Sequence, residues 1–138
     1  MHRKKTRNRR PDNALISIKI EPEIMPLVQK YRDTTGARVF KFYQMYSTCN
    51  TFQFAINRGL KLIGNIVGAD DLEFYAARHT WATIASNSVG IDKYTIHTAL
   101  NHVIQEMKVT EMYIKKDWQV IDKANRAVLD YIKLVNIT

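Results

Sequence analysis

Isoleucines at positions 16, 18 and 20 alternate with Ser17 and Lys19 across Ala14–Ile20, and a period of two marks a strand with one buried face. Turn formers precede it in Asn8, Pro11, Asp12 and Asn13. The pattern predicts a small N-terminal β-hairpin with a basic first strand; a disordered basic arm is the competing reading of the same run. Downstream the period lengthens to that of helices. Glu21-Pro22 opens a helix with Ile24, Leu27, Val28 and Tyr31 on one face, and Gly36 ends it. Arg38–Gln44 is short, aromatic and extended or irregular. Ser47 or Thr48 caps a longer helix through about Ile66, with Phe52, Ala55, Ile56, Leu60 and Ile63 inward. Gly68-Ala69-Asp70-Asp71 breaks that run.

A third helical run covers about Leu72–Ser88 and is closed by Gly90. Asp92 caps a short helix to about Leu100, Asn101–Lys108 reads as a loop, and Val109–Lys115 as a helical turn. In Val120–Leu134 an apolar stripe runs through Ile121, Ala124, Val128, Leu129 and Ile132. The expected fold class is mainly α with a small N-terminal β-hairpin or sheet (α+β), in one domain over residues 1–138.

Composition narrows the function classes. No run approaches the roughly 18 apolar residues of a membrane span, and no apolar stretch follows the basic start as a secretory signal requires. Cys49 is the one cysteine, so no internal disulfide is available, and a reducing, cytoplasmic setting is expected. The four histidines and Cys49 show no paired ligand spacing, so zinc is not expected. A formal net charge of +8 favours a polyanionic partner, DNA or RNA, although an acidic membrane surface would satisfy the same charge.

Three segments could carry chemistry. In Tyr75-Ala-Ala-Arg78-His79-Thr-Trp-Ala-Thr83, helical spacing puts Tyr75 and Arg78 on one face. Phe74, Ala77, Trp81, Ile84 and Ala85 fill much of the remaining circumference, which predicts a largely buried helix. An arginine there is either paired with a carboxylate or turned to a polar cleft as a bidentate phosphate clamp. His79, among apolar neighbours, reads as a packing residue. His102, in Ala99-Leu100-Asn101-His102, is a surface loop histidine or a donor to a phosphate oxygen. Tyr113, in Thr110-Glu-Met-Tyr113-Ile114, is an amphipathic packing residue or a nucleophile.

The order and spacing of these segments resemble the tyrosine recombinase, or phage integrase, family, and most closely the integrases of mobile elements such as conjugative transposons. Tyr75–Thr83 is similar to the family's helix bearing its second arginine. Leu100-Asn101-His102 resembles the Leu-Gly-His turn, Thr110–Tyr113 the Thr-x-x-Tyr nucleophile segment, and Lys4-Lys5-Thr6 the Lys-Thr of the β-hairpin. The match runs over essentially the whole chain. Departures are Tyr75 where the family usually has His, Asn101 for Gly, and a slightly longer stretch between His102 and Tyr113. The resemblance implies a partial catalytic domain, without the arm-binding and core-binding domains and without the segment bearing the first catalytic arginine.

It also implies site-specific cleavage and rejoining of double-stranded DNA through a covalent 3′-phosphotyrosine, without metal or nucleotide. Tyr113 would be the nucleophile, with Arg78 and His102 donating to the non-bridging oxygens. Lys5 (or its neighbour Lys4) would be the general acid, and Tyr75 a hydrogen-bonding partner in the cluster. Arg3, Lys4, Arg7, Arg9 and Arg10 would contact DNA phosphates. A homotetramer on DNA is implied for the complete protein and a monomer for the isolated domain, with no membrane partner. The alternatives are a DNA-binding module without catalysis, a helical protein- or RNA-binding domain, and a related tyrosine-nucleophile topoisomerase.

Overall fold

A computed structural model describes residues 15–102, 109 and 113–135. It divides into two compact units, Ile20–His79 and Thr80–Thr138 with Met1–Lys19. The described residues hold five α-helices: α1 (Met25–Tyr31), α2 (Cys49–Val67), α3 (Ala76–Thr83), α4 (Lys93–Ala99) and α5 (Trp118–Val135).

The mixed α+β class is corrected. Among the described residues there is no strand or sheet, and strand-like pairing is limited to single-residue bridges, at Leu15 and between Arg32 and Phe40. The first strand of the expected hairpin lies outside the described residues. Alternation makes a strand only where a neighbour takes up its backbone N–H and C=O groups. Here Lys19 donates its N–H to the Asp122 carboxylate on α5 at 3.0 Å instead, and Ile18 stays exposed.

In the unit Ile20–His79, a 3₁₀ turn at Pro22–Ile24 leads into α1, which stops at Tyr31 rather than at Gly36. The cause is Asp33. Its buried carboxylate accepts from the Thr35 N–H (3.0 Å) and hydroxyl (2.8 Å), the Arg38 N–H (2.9 Å), the Tyr43 hydroxyl (3.0 Å) and the Gln44 amide (3.2 Å). Gathering those donors requires the chain to loop, with Gly36 at φ 75°, rather than to continue a helix. Burial pushes the carboxyl pKa of Asp33 upward, but hydrogen bonds from Thr35, Arg38 and Tyr43 favour the anion and bring it from 3.8 to about 2. Beside this hub Phe42 stacks on Phe52 of α2 at 5.2 Å and meets Tyr31 at 5.1 Å.

Thr48 caps α2, accepting from the Thr51 N–H at 3.1 Å, while the Thr51 hydroxyl accepts from the Thr48 N–H, a reciprocal capping box. Left-handed Gly68 ends the helix as the sequence predicts. The returning chain passes so close that a β-carbon on Gly64 would sit 2.3 Å from the Ala69 carbonyl oxygen.

The unit containing Thr80–Thr138 packs around Ala85, Ile96 and Val128, with Trp81, Ala82, Ile84, Val89, Ile91 and Leu100 against them. Of the stripe read on the last helix, Ile121, Ala124 and Val128 are buried and Leu129 half-buried, while Ile132 is exposed. Half-buried Trp81 packs against this cluster while its indole N–H donates to Asn125 on α5 at 3.1 Å. After α3 the helix widens into a π turn at Ile84–Ser88, closed by the Val89 N–H to the Ile84 carbonyl at 3.0 Å. None of the described helices is long and apolar enough to cross a membrane.

Two outcomes are expected. Gly64→Ala forces the chain reversal apart and costs about 1–3 kcal/mol in urea unfolding, whereas Gly59→Ala, with open space around it, gains about 0.5–1 kcal/mol from helix propensity. Because the folded pKa of Asp33 is depressed, its contribution to stability is complete above pH 3.8 and is lost as pH falls through about 2. Asp33→Asn is expected to lower stability at pH 7 and to flatten the acid limb of unfolding between those values.

Candidate active site

Tyr75 sits immediately before α3, and the Arg78 N–H donates to its carbonyl at 3.1 Å, so the two residues share a turn as their spacing predicts. The lead-in is anchored by the Phe74 N–H, which donates to the Asn57 side chain on α2 at 3.0 Å. The expectation of a largely buried helix is corrected for this end. Phe74 and Tyr75 are 61% and 57% exposed, Ala77 is exposed, and Arg78 is half-buried. Regular helix begins only at Ala76, so Phe74 lies outside it, and burial sets in from Trp81 onward. His79 is exposed, and its ring packs edge-on against the Tyr75 ring at 5.0 Å. A guanidinium matches a planar or tetrahedral anion through its forked N–H groups.

The Leu100-Asn101-His102 segment closes α4 by a defined hydrogen-bond pattern. Asp92 caps the start, accepting from the Thr95 N–H at 2.9 Å; the Thr95 side chain and N–H both stabilise its anion and lower its pKa. At the other end the Asn101 N–H donates to the Thr98 carbonyl at 3.0 Å and the His102 N–H to the His97 carbonyl at 2.9 Å. These five-to-two and six-to-one bonds make a Schellman motif, with Asn101 in its left-handed position at φ 53°. Glycine is the least strained residue there and asparagine the next best, which is why Asn101 can stand where the resembled family has Gly. The motif buries Asn101 and leaves the His102 side chain exposed beside the α4 terminus.

Tyr113 is 85% exposed with helical backbone. Most of the chain joining it to His102 lies outside the described residues, as do Arg3, Lys4, Lys5, Arg7, Arg9 and Arg10. Tyr75 and Arg78 thus belong to one unit, and His102 and Tyr113 to the other.

One set of residues is not anticipated from the sequence. Along α2, Asn50, Gln53, Asn57, Arg58 and Lys61 line an open groove with exposed Phe54, and Glu73 borders it. Amides and cations recurring every three or four residues are the signal that marks this face. The apolar stripe on the same helix is the stronger pattern and masks it. Such a face can donate hydrogen bonds and charge to a polyanion.

Comparison with protein-family models, curated proteins and solved structures finds no match for this chain. The chemistry of the site therefore rests on its own residues, and the turn at Asn101 is the part most open to test. Asn101→Gly is expected to change unfolding free energy by less than about 1 kcal/mol, while Asn101→Val, β-branched at positive φ, costs about 1–3 kcal/mol. Equal urea midpoints for the two variants would show that backbone angle is not the constraint at this position.

Proposed function

We propose that this chain is part of the catalytic core of a tyrosine recombinase that cuts and rejoins double-stranded DNA. The observation that carries the reading is the ordered set Tyr75/Arg78, Leu100-Asn101-His102 and Thr110–Tyr113. It is supported by the left-handed turn at Asn101, the backbone geometry a Leu-Gly-His turn would need.

In this reading the Tyr113 hydroxyl attacks a DNA phosphorus. A bond forms from the phenolic oxygen to phosphorus, the bond to the 5′-oxygen breaks, and a 3′-phosphotyrosine is left. A phenol has a pKa near 10 and needs help to lose its proton. The exposure of Tyr113 suits a group that must reach a substrate rather than pack in a core. Arg78 and His102 donate to the non-bridging oxygens as negative charge grows there. Lys5, or its neighbour Lys4, gives a proton to the departing 5′-oxygen. Tyr75, with its ring on His79, orients Arg78 or the phosphate. Arg3, Lys4, Arg7, Arg9 and Arg10 hold the DNA backbone, and the α2 face adds Arg58 and Lys61 to that grip. The reaction needs no cofactor, takes place in the cytoplasm, and uses a tetramer assembled on DNA, the lone domain being monomeric. A DNA-binding module without catalysis is the second reading, favoured by Tyr75 in the position of a proton-transferring histidine.

A nicked suicide duplex separates the two. Mixed with the complete recombinase, it is expected to give a protein–DNA adduct on denaturing gels, absent with Tyr113→Phe. An adduct that persists in the Phe variant removes Tyr113 from the role of nucleophile, and binding without any adduct supports the second reading. Arg58→Ala with Lys61→Ala is expected to weaken duplex binding for all sequences and to lower the salt slope by about 0.9 for each phosphate no longer neutralised.

A further inference from the structure

A Schellman closure usually carries an apolar contact between the residue three before the cap and the residue two beyond it. In α4 those positions belong to His97 and His102, whose rings stand edge-to-face with centroids 5.6 Å apart. A leucine or phenylalanine would serve such a contact without leaving a polar atom inside. His97 instead buries its Nδ1 with no hydrogen-bond partner among the described residues, an arrangement that costs free energy and is rare in folded proteins. The same two residues are joined through the backbone by the 2.9 Å bond from the His102 N–H to the His97 carbonyl. His102 is therefore fixed to His97 at both its main chain and its ring.

We infer that His97 is a positioning residue for His102: its ring is the surface against which the His102 imidazole is held in the orientation that presents it to a phosphate. The inference rests on the recombinase reading for what His102 does, but the contact itself can be examined without it. An exposed imidazole on a turn samples several rotamers, and a donor that must lie within a few tenths of an ångström of its acceptor loses effectiveness as it does so. His97 lies one helical turn below, anchored in a helix whose Thr95 and Ile96 are buried, so it supplies a rigid wall on one side of the exposed ring. Edge-to-face packing of the two rings restricts rotation about the side-chain bonds of His102 while the residue as a whole stays exposed.

The experiment pairs His97→Ala with His97→Phe. The His102 ring is followed by NMR in the free protein, and adduct formation on a nicked suicide duplex is followed with the complete recombinase. His97→Ala is expected to remove the ring-current shift of the His102 ring protons and average its rotamers. It is also expected to slow adduct formation about tenfold to a hundredfold at unchanged duplex affinity. His97→Phe keeps a ring in place and is expected to restore both the His102 shifts and the rate. His102 signals that do not change in His97→Ala overturn the inference, as does a Phe variant as slow as the Ala variant. If the signals change as expected but the unsubstituted protein forms no adduct, the positioning contact stands and the recombinase reading falls.

Discussion

The carbonyls at the end of α4 need donors once the helix stops, and the chain supplies them by turning one residue left-handed. That turn lets the N–H groups of Asn101 and His102 fold back onto Thr98 and His97. Everything proposed for His102 depends on this reversal. Without it the backbone would continue in the helical direction and the imidazole would not lie beside the ring of His97. The reversal in turn depends on a firmly packed helix, which Ile96, Ala85 and Val128 provide from within. A surface side chain is thus fixed by a chain of causes that begins in the hydrophobic core.

The unit Ile20–His79 solves a different problem. With no sheet among its described residues to pair the backbone of the 33–44 segment, it collects donors on one carboxylate, Asp33, and lays aromatic rings from Tyr31 to Phe52 alongside. An anion surrounded by donors fixes the course of the loop, and α2 follows it with its own capping box. The polar groove of α2 and the Tyr75–Arg78 turn both lie in this unit, tied to each other through Asn57 and the Phe74 N–H.

The helices were legible because their signals are local. Thr48, Gly68 and Asp92 cap where their side chains or backbone freedom allow, and the stripe of Ile121, Ala124 and Val128 is buried as its spacing requires. The strand at Ile16–Ile20 was not, because alternation states which faces differ but not whether a partner exists to complete a ladder. Asp33 is silent in the sequence for a related reason: five donors converge on it from a loop, and only the folded loop defines that convergence. In the candidate site, the residue types and the left-handed tolerance of Asn101 could be read in advance. The edge contact of His97 could not, since a histidine five residues before another has no distinctive spacing until a Schellman turn brings the rings together.

The π turn at Ile84–Ser88 bears on how the end of α3 can change over time. A helix advances about 100° per residue, so one added member in a turn resets the phase of everything beyond it at almost no axial length. Trp81 and Ala82 before this turn, and Val89 and Ile91 after it, all pack against the same apolar cluster. Losing a single codon between 84 and 88 would restore regular winding and wheel one pair of side chains away from the cluster. Length in this stretch therefore acts as a rotary setting, distinct from the demand for a small, fully buried side chain at Ala85.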